Sequence, residues 1–166
     1  MKKEGKLVWI TGLAGSGKTT LAEKLREAME YKVIHLDGDN LRGILRETTT
    51  HDIDGRIRTS KIYSELCSYL TNQGFDVIMS TISLFHSIQD YNRKNNSRYY
   101  EVFLEVDPDI LINRNKKDLY KGNKKDVMGK VQEAEFPKNP TLTLFNNYPY
   151  QIDTNIQKIM KVLKDG

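Results

Sequence analysis

A three-layer α/β fold, with helices on both faces of a mostly parallel sheet, is the fold class this sequence predicts, on three observations. Short apolar runs without strict alternation, LVWIT, KVIHL, FDVIMST and EVFLEV, read as strands buried on both faces. Apolar residues at helical spacing occupy the intervals, so successive strands need crossover connections. A glycine-rich turn, GLAGSGKT, joins the first run to the first helix. At 166 residues, 38% hydrophobic and 29% charged, the chain has enough material for one core and too little for two ordinary ones, so a single domain over 1–166 is expected.

The elements follow in chain order. A strand at 7–11 leads into a helix marked by Leu21, Leu25 and Ala28. After the strand at 32–36, a longer helix is marked by Ile57, Ile62, Leu66, Tyr69 and Leu70 and stops at Gly74. Strands at 75–81 and 101–106 come next, and Asp107 and Pro108 open a helical DPDILINR. The stretch 116–150 lacks periodicity and holds three of the four prolines; it reads as a mobile lid, approximately 114–135, followed by an ordered loop. A last strand near YQIDT leads into the helix IQKIMKVLK, with Thr154 or Asn155 as its N-cap. Trp9, Phe103 and Cys67 read as core, His35 as a satisfied strand histidine, and His86 as a residue near the site with no evident partner.

Composition narrows the function. No apolar run is long enough to span a bilayer and no leader pattern precedes the first strand, so a soluble, cytoplasmic protein without a membrane partner is expected. The formal charge of +4 suits nucleic acid or a small polyanion equally. Lys116, Lys117, Lys121, Lys124, Lys125 and Lys130 crowd one segment with only Tyr120 among them, whereas a strand binder spreads stacking aromatics along its groove. The expected partner is therefore a small-molecule nucleotide and not a nucleic acid.

The motif GxxxxGK[ST] is met by Gly12, Leu13, Ala14, Gly15, Ser16, Gly17, Lys18 and Thr19, with Thr20 following. Its glycines turn backbone amides onto phosphates, the helix adds its N-terminal dipole, Lys18 bridges the outer phosphates and Thr19 reaches Mg²⁺. The fold expected is thus of the P-loop nucleoside-kinase type, and ATP or GTP is the ligand. NKKD, at 115–118 and again at 123–126, has the form of a guanine-reading motif, but a helical stretch separates the first copy from the strand before it, and no acidic switch follows FDVIMST. A GTP switch is therefore excluded. HLDGDNLR, at 35–42, holds Asp37 and Asp39 on a turn at the C-terminal edge of the sheet, where α/β folds bind ligands. One carboxylate serves Mg²⁺ and the other takes a proton from an attacking hydroxyl; the sequence leaves open which does which.

GLAGSGKTT, LDGDNLR, STIS at 80–83 and RNKKDLYK at 114–121 stand in the order and spacing of the adenylylsulfate (APS) kinases, whose segments read GLSGSGKST, LDGDNxR, SFIS and RDxKGLYK. The chain resembles that family over residues 6–154. The resemblance implies ATP-dependent phosphorylation, with Mg²⁺, of the 3′-hydroxyl of a nucleoside whose 5′-phosphate carries a second tetrahedral group, and a homodimer. It gives Lys18, Asp37 and Asp39 the catalytic roles, Thr19 and Asp37 the metal, and Arg114 a place over ATP. Arg42 and Arg56, with Arg58 near, would hold the acceptor's anionic groups; Thr59, Ile82, Ser83, Lys117 and Lys121 complete the acceptor site.

Departures from the pattern point to the base. The family's DRxxNxRR becomes GRIRTSKI, so Thr59 stands for its asparagine and Lys61 for an arginine. The two phenylalanines that clamp adenine in the family fall on His51 and Val127. Each stacked aromatic is worth roughly 1 to 3 kcal/mol, so their loss weakens the case for adenine. A branch of the family acts on cytidine diphosphoramidate for capsule polysaccharide biosynthesis, and its smaller base needs less stacking surface. That acceptor is favoured over adenylylsulfate, unless Tyr91, Phe136 or Tyr148 supplies the missing face. The other class, a non-catalytic nucleotide-binding module, is separated from a kinase by the effect of Asp39→Asn on turnover.

Overall fold

The computed structural model describes residues 4–46, 52–114 and 133–166. His51, Lys117, Lys121, Val127, both NKKD copies and most of the expected lid lie outside the described residues. Five strands, β1 (Leu7–Thr11), β2 (Ile34–Asp37), β3 (Val77–Ser80), β4 (Tyr99–Glu105) and β5 (Leu142–Phe145), form one sheet in the order β2-β3-β1-β4-β5, and every pairing is parallel. The helices are α1 (Lys18–Ala28), α2 (Gly38–Leu45), α3 (Ile53–Asn72), α4 (His86–Asn95), α5 (Pro108–Asn113) and α6 (Gln151–Asp165).

The two faces of β1 explain the layering. Val8 and Ile10 pack with Leu21 and Leu25 of α1 and Ile156 and Ile159 of α6; Leu7 and Trp9 pack with Tyr63 and Cys67 of α3 and Ile88 of α4. All five β1 residues are buried, which is why this run shows no alternation. Burial pushes the Cys67 thiol far up, and the side chain acts as a small apolar filler.

Several elements differ from expectation. The strand placed near YQIDT is the start of α6, capped at Tyr150; Asn155 lies within that helix, where its Nδ2 donates to Phe145 O (2.9 Å). The final strand is instead LTLF, inside the stretch read as loop. Only Leu144 of its four residues is buried, as suits an edge strand. A helix absent from the sequence reading, α4, buries Ile88, Gln89 and Asn92, a mostly polar face. In α3 the buried side is a stripe of Thr59, Ser60, Tyr63, Ser64, Cys67, Ser68 and Thr71, while Tyr69 is exposed. Small hydroxyl residues let α4 approach closely: Thr71 Oγ1 donates to Asn96 Oδ1 (2.9 Å) and Asn96 Nδ2 to Ser68 Oγ (3.1 Å). Ala28 is exposed, and Met29 takes its place in the core.

The segment at 133–141 returns across α4. His86 donates its backbone N–H to Glu135 Oε2 (2.7 Å) and pairs its Nε2 with Phe136 O (2.9 Å), so His86 has the partners the sequence did not reveal. Arg93 reaches both the buried Glu101 carboxylate (2.9 Å) and Asn139 O (3.2 Å). No described helix is long and apolar enough to cross a membrane.

Candidate active site

The site lies at the C-terminal ends of β1, β2 and β3, in a cleft of about 750 Å³. On one side is the loop between β1 and α1. Gly12 (φ 156°) and Gly17 (φ 93°) have backbones that a side chain disfavours, and both are closely backed: a Cβ would stand 2.4 Å from Leu104 O at Gly12 and 2.5 Å from Asn146 Nδ2 at Gly17. Asn146 follows β5 and donates from Nδ2 to Ser16 O (2.8 Å), so the loop is fixed from outside as well as by its own turn. Lys18 Nζ donates to Leu13 O (2.8 Å), folded onto its own loop. Ala14, Gly15, Gly17, Lys18, Thr19 and Thr20 line the cleft; Gly12, Leu13 and Ser16 do not.

Opposite the loop, the acidic turn is the start of α2. Asp37 is its N-cap, accepting from Asp39 N (3.0 Å) and Asn40 N (3.2 Å) on Oδ1, while Oδ2 accepts from Thr19 Oγ1 (2.8 Å) and Ser80 Oγ (2.8 Å). A carboxylate offers about four lone-pair positions, and four donors occupy them. Burial alone would raise the Asp37 pKa, but these hydrogen bonds outweigh it and hold the carboxyl below the usual range. Asp39, in the first turn of the same helix, is exposed on the cleft wall.

A depressed carboxyl stabilises the folded state above the unfolded pKa, and that stability is lost as pH falls through the folded value. Below about pH 4, the unfolded carboxylate range, the native protein should therefore lose stability with an acid slope that Asp37→Asn makes shallower. Urea unfolding midpoints for both proteins, measured from pH 5 downward, check this; parallel slopes would rule out Asp37 as a source.

The remaining wall is built from α2, the start of α3 and the turn after β3. Arg42, Arg56, Ile82 and Ser83 all line the cleft. Ser83 has a positive φ of 29°, a strained conformation for a residue with a side chain. Hydroxyls hold it there: Ser83 Oγ pairs with Ser60 Oγ (2.8 Å) and Thr81 Oγ1 (2.9 Å), and Thr11 Oγ1 donates to Ile82 O. Thr59 is not in the cleft wall; it is buried, and its hydroxyl donates to Gly55 O (2.7 Å). Arg114, at the end of α5, lines the far end with Leu111, Pro149 and Ile152, its Nη2 on Asn147 O (2.7 Å).

Sequence reasoning missed Ser60, Tyr63, Phe85 and Asn146. Tyr63 and Phe85 are the aromatic rings on the cleft wall among the described residues, and the Tyr63 hydroxyl donates to Gly38 O (2.8 Å), steadying the acidic turn. Tyr91, Phe136 and Tyr148 do not line it: Phe136 packs on Phe103 with ring centroids 5.4 Å apart, and Tyr148 stacks on Tyr150 at 5.5 Å. A tyrosine at helical spacing among serines carries no sequence signal for a site, and neither does an asparagine after a strand the sequence hides.

Comparison with known proteins places this geometry. The family model for adenylylsulphate kinase matches residues 4–145. Cytidine diphosphoramidate kinase of Campylobacter jejuni subsp. jejuni serotype O:2 is 39% identical, over 98% of this chain and 99% of that protein. Adenylyl-sulfate kinase of Gloeothece citriformis is 32% identical over 98% and 96%. Among solved structures, the Mycobacterium tuberculosis APS kinase in complex with AMPPNP and APS superposes with a TM-score of 0.87 at 28% identity, covering 97% of this chain and 98% of that one. These matches run through the strands and helices that build the cleft, and the chain accordingly belongs to the adenylylsulphate kinase family of phosphotransferases.

Proposed function

We propose that this chain transfers the γ-phosphoryl group of ATP to the 3′-hydroxyl of a nucleoside 5′-phosphate anhydride, and that its acceptor is cytidine diphosphoramidate. The observation that carries the kinase reading is the unequal state of the two carboxylates. Asp37 is saturated by hydrogen bonds beside Thr19, whereas Asp39 is exposed on the cleft wall. Asp39 is thus the general base for the attacking hydroxyl, and Asp37 belongs to the metal side.

Thr19 fits Mg²⁺ in its donor chemistry: its proton is committed to Asp37, which leaves oxygen lone pairs for a hard cation with a negative charge behind them. Mg²⁺ is commonly held by few protein oxygens together with substrate phosphates, which suits a site whose protein donors are Thr19 and the Asp37 carboxylate behind it. When bound, the ion neutralises charge on those phosphates. Lys18 takes the outer phosphates, Arg114 and the wall at Leu111, Pro149 and Ile152 take the nucleotide donor, and Arg42 and Arg56 take the acceptor's anionic groups. Ile82 and Ser83 border its sugar, with Lys117 and Lys121 assigned by resemblance alone. The reading includes a single domain, a homodimer and a cytoplasmic setting in which Cys67 stays a thiol.

For the acceptor, the support is the 39% identity to a cytidine diphosphoramidate kinase over nearly the full length of both chains, together with the substituted clamp positions His51 and Val127. Adenylylsulfate is the competing acceptor, favoured by the relatives that act on it. With Mg²⁺ and ATP, kcat/KM should favour cytidine diphosphoramidate by about tenfold or more, the loss expected for one missing stack. The product, followed by phosphorus NMR, should carry a new 3′-phosphate. A preference for adenylylsulfate would overturn the base assignment, and failure on both acceptors would overturn the pocket.

A further inference from the structure

One polar side chain behind the acidic turn has no part in the function described above. His35 lies on β2 two residues before Asp37, on the same face of the strand. That face is covered by α1, and across the ladder Asp37 is in register with Ser80. His35 Nε2 stands 3.0 Å from Ser80 Oγ, which stands 2.8 Å from Asp37 Oδ2, which in turn accepts from Thr19 Oγ1 at 2.8 Å. A line of three hydrogen bonds thus runs from the edge strand to the phosphate loop.

Counting protons fixes its direction. Asp37 Oδ2 only accepts, so Ser80 spends its one hydroxyl proton there, and the Ser80 oxygen can meet His35 only as an acceptor. His35 Nε2–H is therefore the donor. We infer that His35 is a positioning residue: by donating to Ser80 it aims the serine proton at Asp37, which holds the carboxylate square to Thr19 and keeps the threonine lone pairs turned toward the cation site. Without that donor the Ser80 hydroxyl is released to rotate, Asp37 loses one of its four anchors, and Thr19 loses a fixed partner. Outer partners of this kind tune metal affinity without touching the metal. The inference rests on the reading of Asp37 as the metal-side carboxylate.

Mn²⁺, titrated by electron paramagnetic resonance into the protein with saturating ADP, reads the effect without turnover. His35→Leu should weaken Mn²⁺ binding about 3- to 10-fold, the equivalent of one neutral hydrogen bond. His35→Gln, whose amide places a donor where Nε2 stood, should restore affinity to within about twofold of the native protein. Ser80→Ala should match His35→Leu, and the double variant Ser80→Ala/His35→Leu should be no weaker than Ser80→Ala alone, because the second change removes a donor that has lost its acceptor. If leucine prevents folding, His35→Asn, too short to reach Ser80, completes the same cycle. Asp37→Asn serves as the reference. If it leaves Mn²⁺ binding unchanged, the reading of Asp37 falls. If it weakens binding while His35→Leu does not, or if the His35 and Ser80 effects simply add, the role of His35 alone is overturned.

Discussion

Asp39→Asn is expected to lower kcat by about 10³-fold, within the range of a general base, while ATP affinity stays within about twofold. The asparagine keeps the shape of the first turn of α2 but cannot take the proton of an attacking hydroxyl. Loss of the acid at the helix N-terminus costs roughly 0.3 to 1 kcal/mol, small beside the catalytic effect. Steady-state turnover with cytidine diphosphoramidate and calorimetric titration with a non-hydrolysable ATP analogue separate the two quantities. A loss of less than about tenfold would remove Asp39 from the role of base. Retention of full turnover by both Asp39→Asn and Asp37→Asn would remove these carboxylates from the chemistry, whereas nucleotide binding by the native protein without any turnover would end the kinase reading and leave a nucleotide-binding module.

Lys18→Ala should be as severe, with kcat reduced by about 10²- to 10³-fold, the usual consequence of removing one preorganised group facing developing charge. Binding of the nucleotide should weaken as well, since a charge on the outer phosphates is lost in the ground state too. In the structure the ammonium is held by Leu13 O at 2.8 Å, so phosphate must draw it away from its own loop. Lys18→Arg is expected to recover little: a planar guanidinium cannot take the place of a compact ammonium within a loop that also packs against Asn146. Single-turnover phosphoryl transfer measured for both variants checks this, and near-native rates for the arginine variant would contradict a specific role for Lys18.

The phosphate half of the site was legible because its chemistry is local. GLAGSGKT and HLDGDNLR each place ligand-facing groups within one turn, and the runs LVWIT and KVIHL before them mark strands, although only β1 is buried throughout while β2, at the sheet edge, is half-buried. The fold class followed from the same runs. What stayed hidden depended on partners distant in the chain. β5 escaped because an edge strand buries only Leu144 and lies between prolines. The buried side of α3 escaped because hydroxyl residues form it, against the apolar residues that spacing would choose; of these, Ser68 and Thr71 meet Asn96 at the end of α4, Thr59 bonds within its own helix and Ser60 bonds Ser83. Asn146 acts on Ser16 across 130 positions, and no local pattern announces such a contact. The roles proposed for Asp37 and Asp39, open from sequence, rest on two hydroxyls, Thr19 and Ser80, whose positions only the assembled sheet supplies.

The two sides of the cleft come from different stretches of chain, and they are braced differently. The phosphate loop is clamped by Asn146 after β5, while the opposite wall is drawn from α2, the start of α3 and one strained serine held by two neighbouring hydroxyls. If Arg42, Arg56, Ile82 and Ser83 hold the acceptor, as proposed above, substitutions there leave the Asn146 clamp on the phosphate loop untouched. On that proposal, a lineage in which the donor stays ATP while the acceptor changes from one nucleotide to another has a separate surface on which to vary.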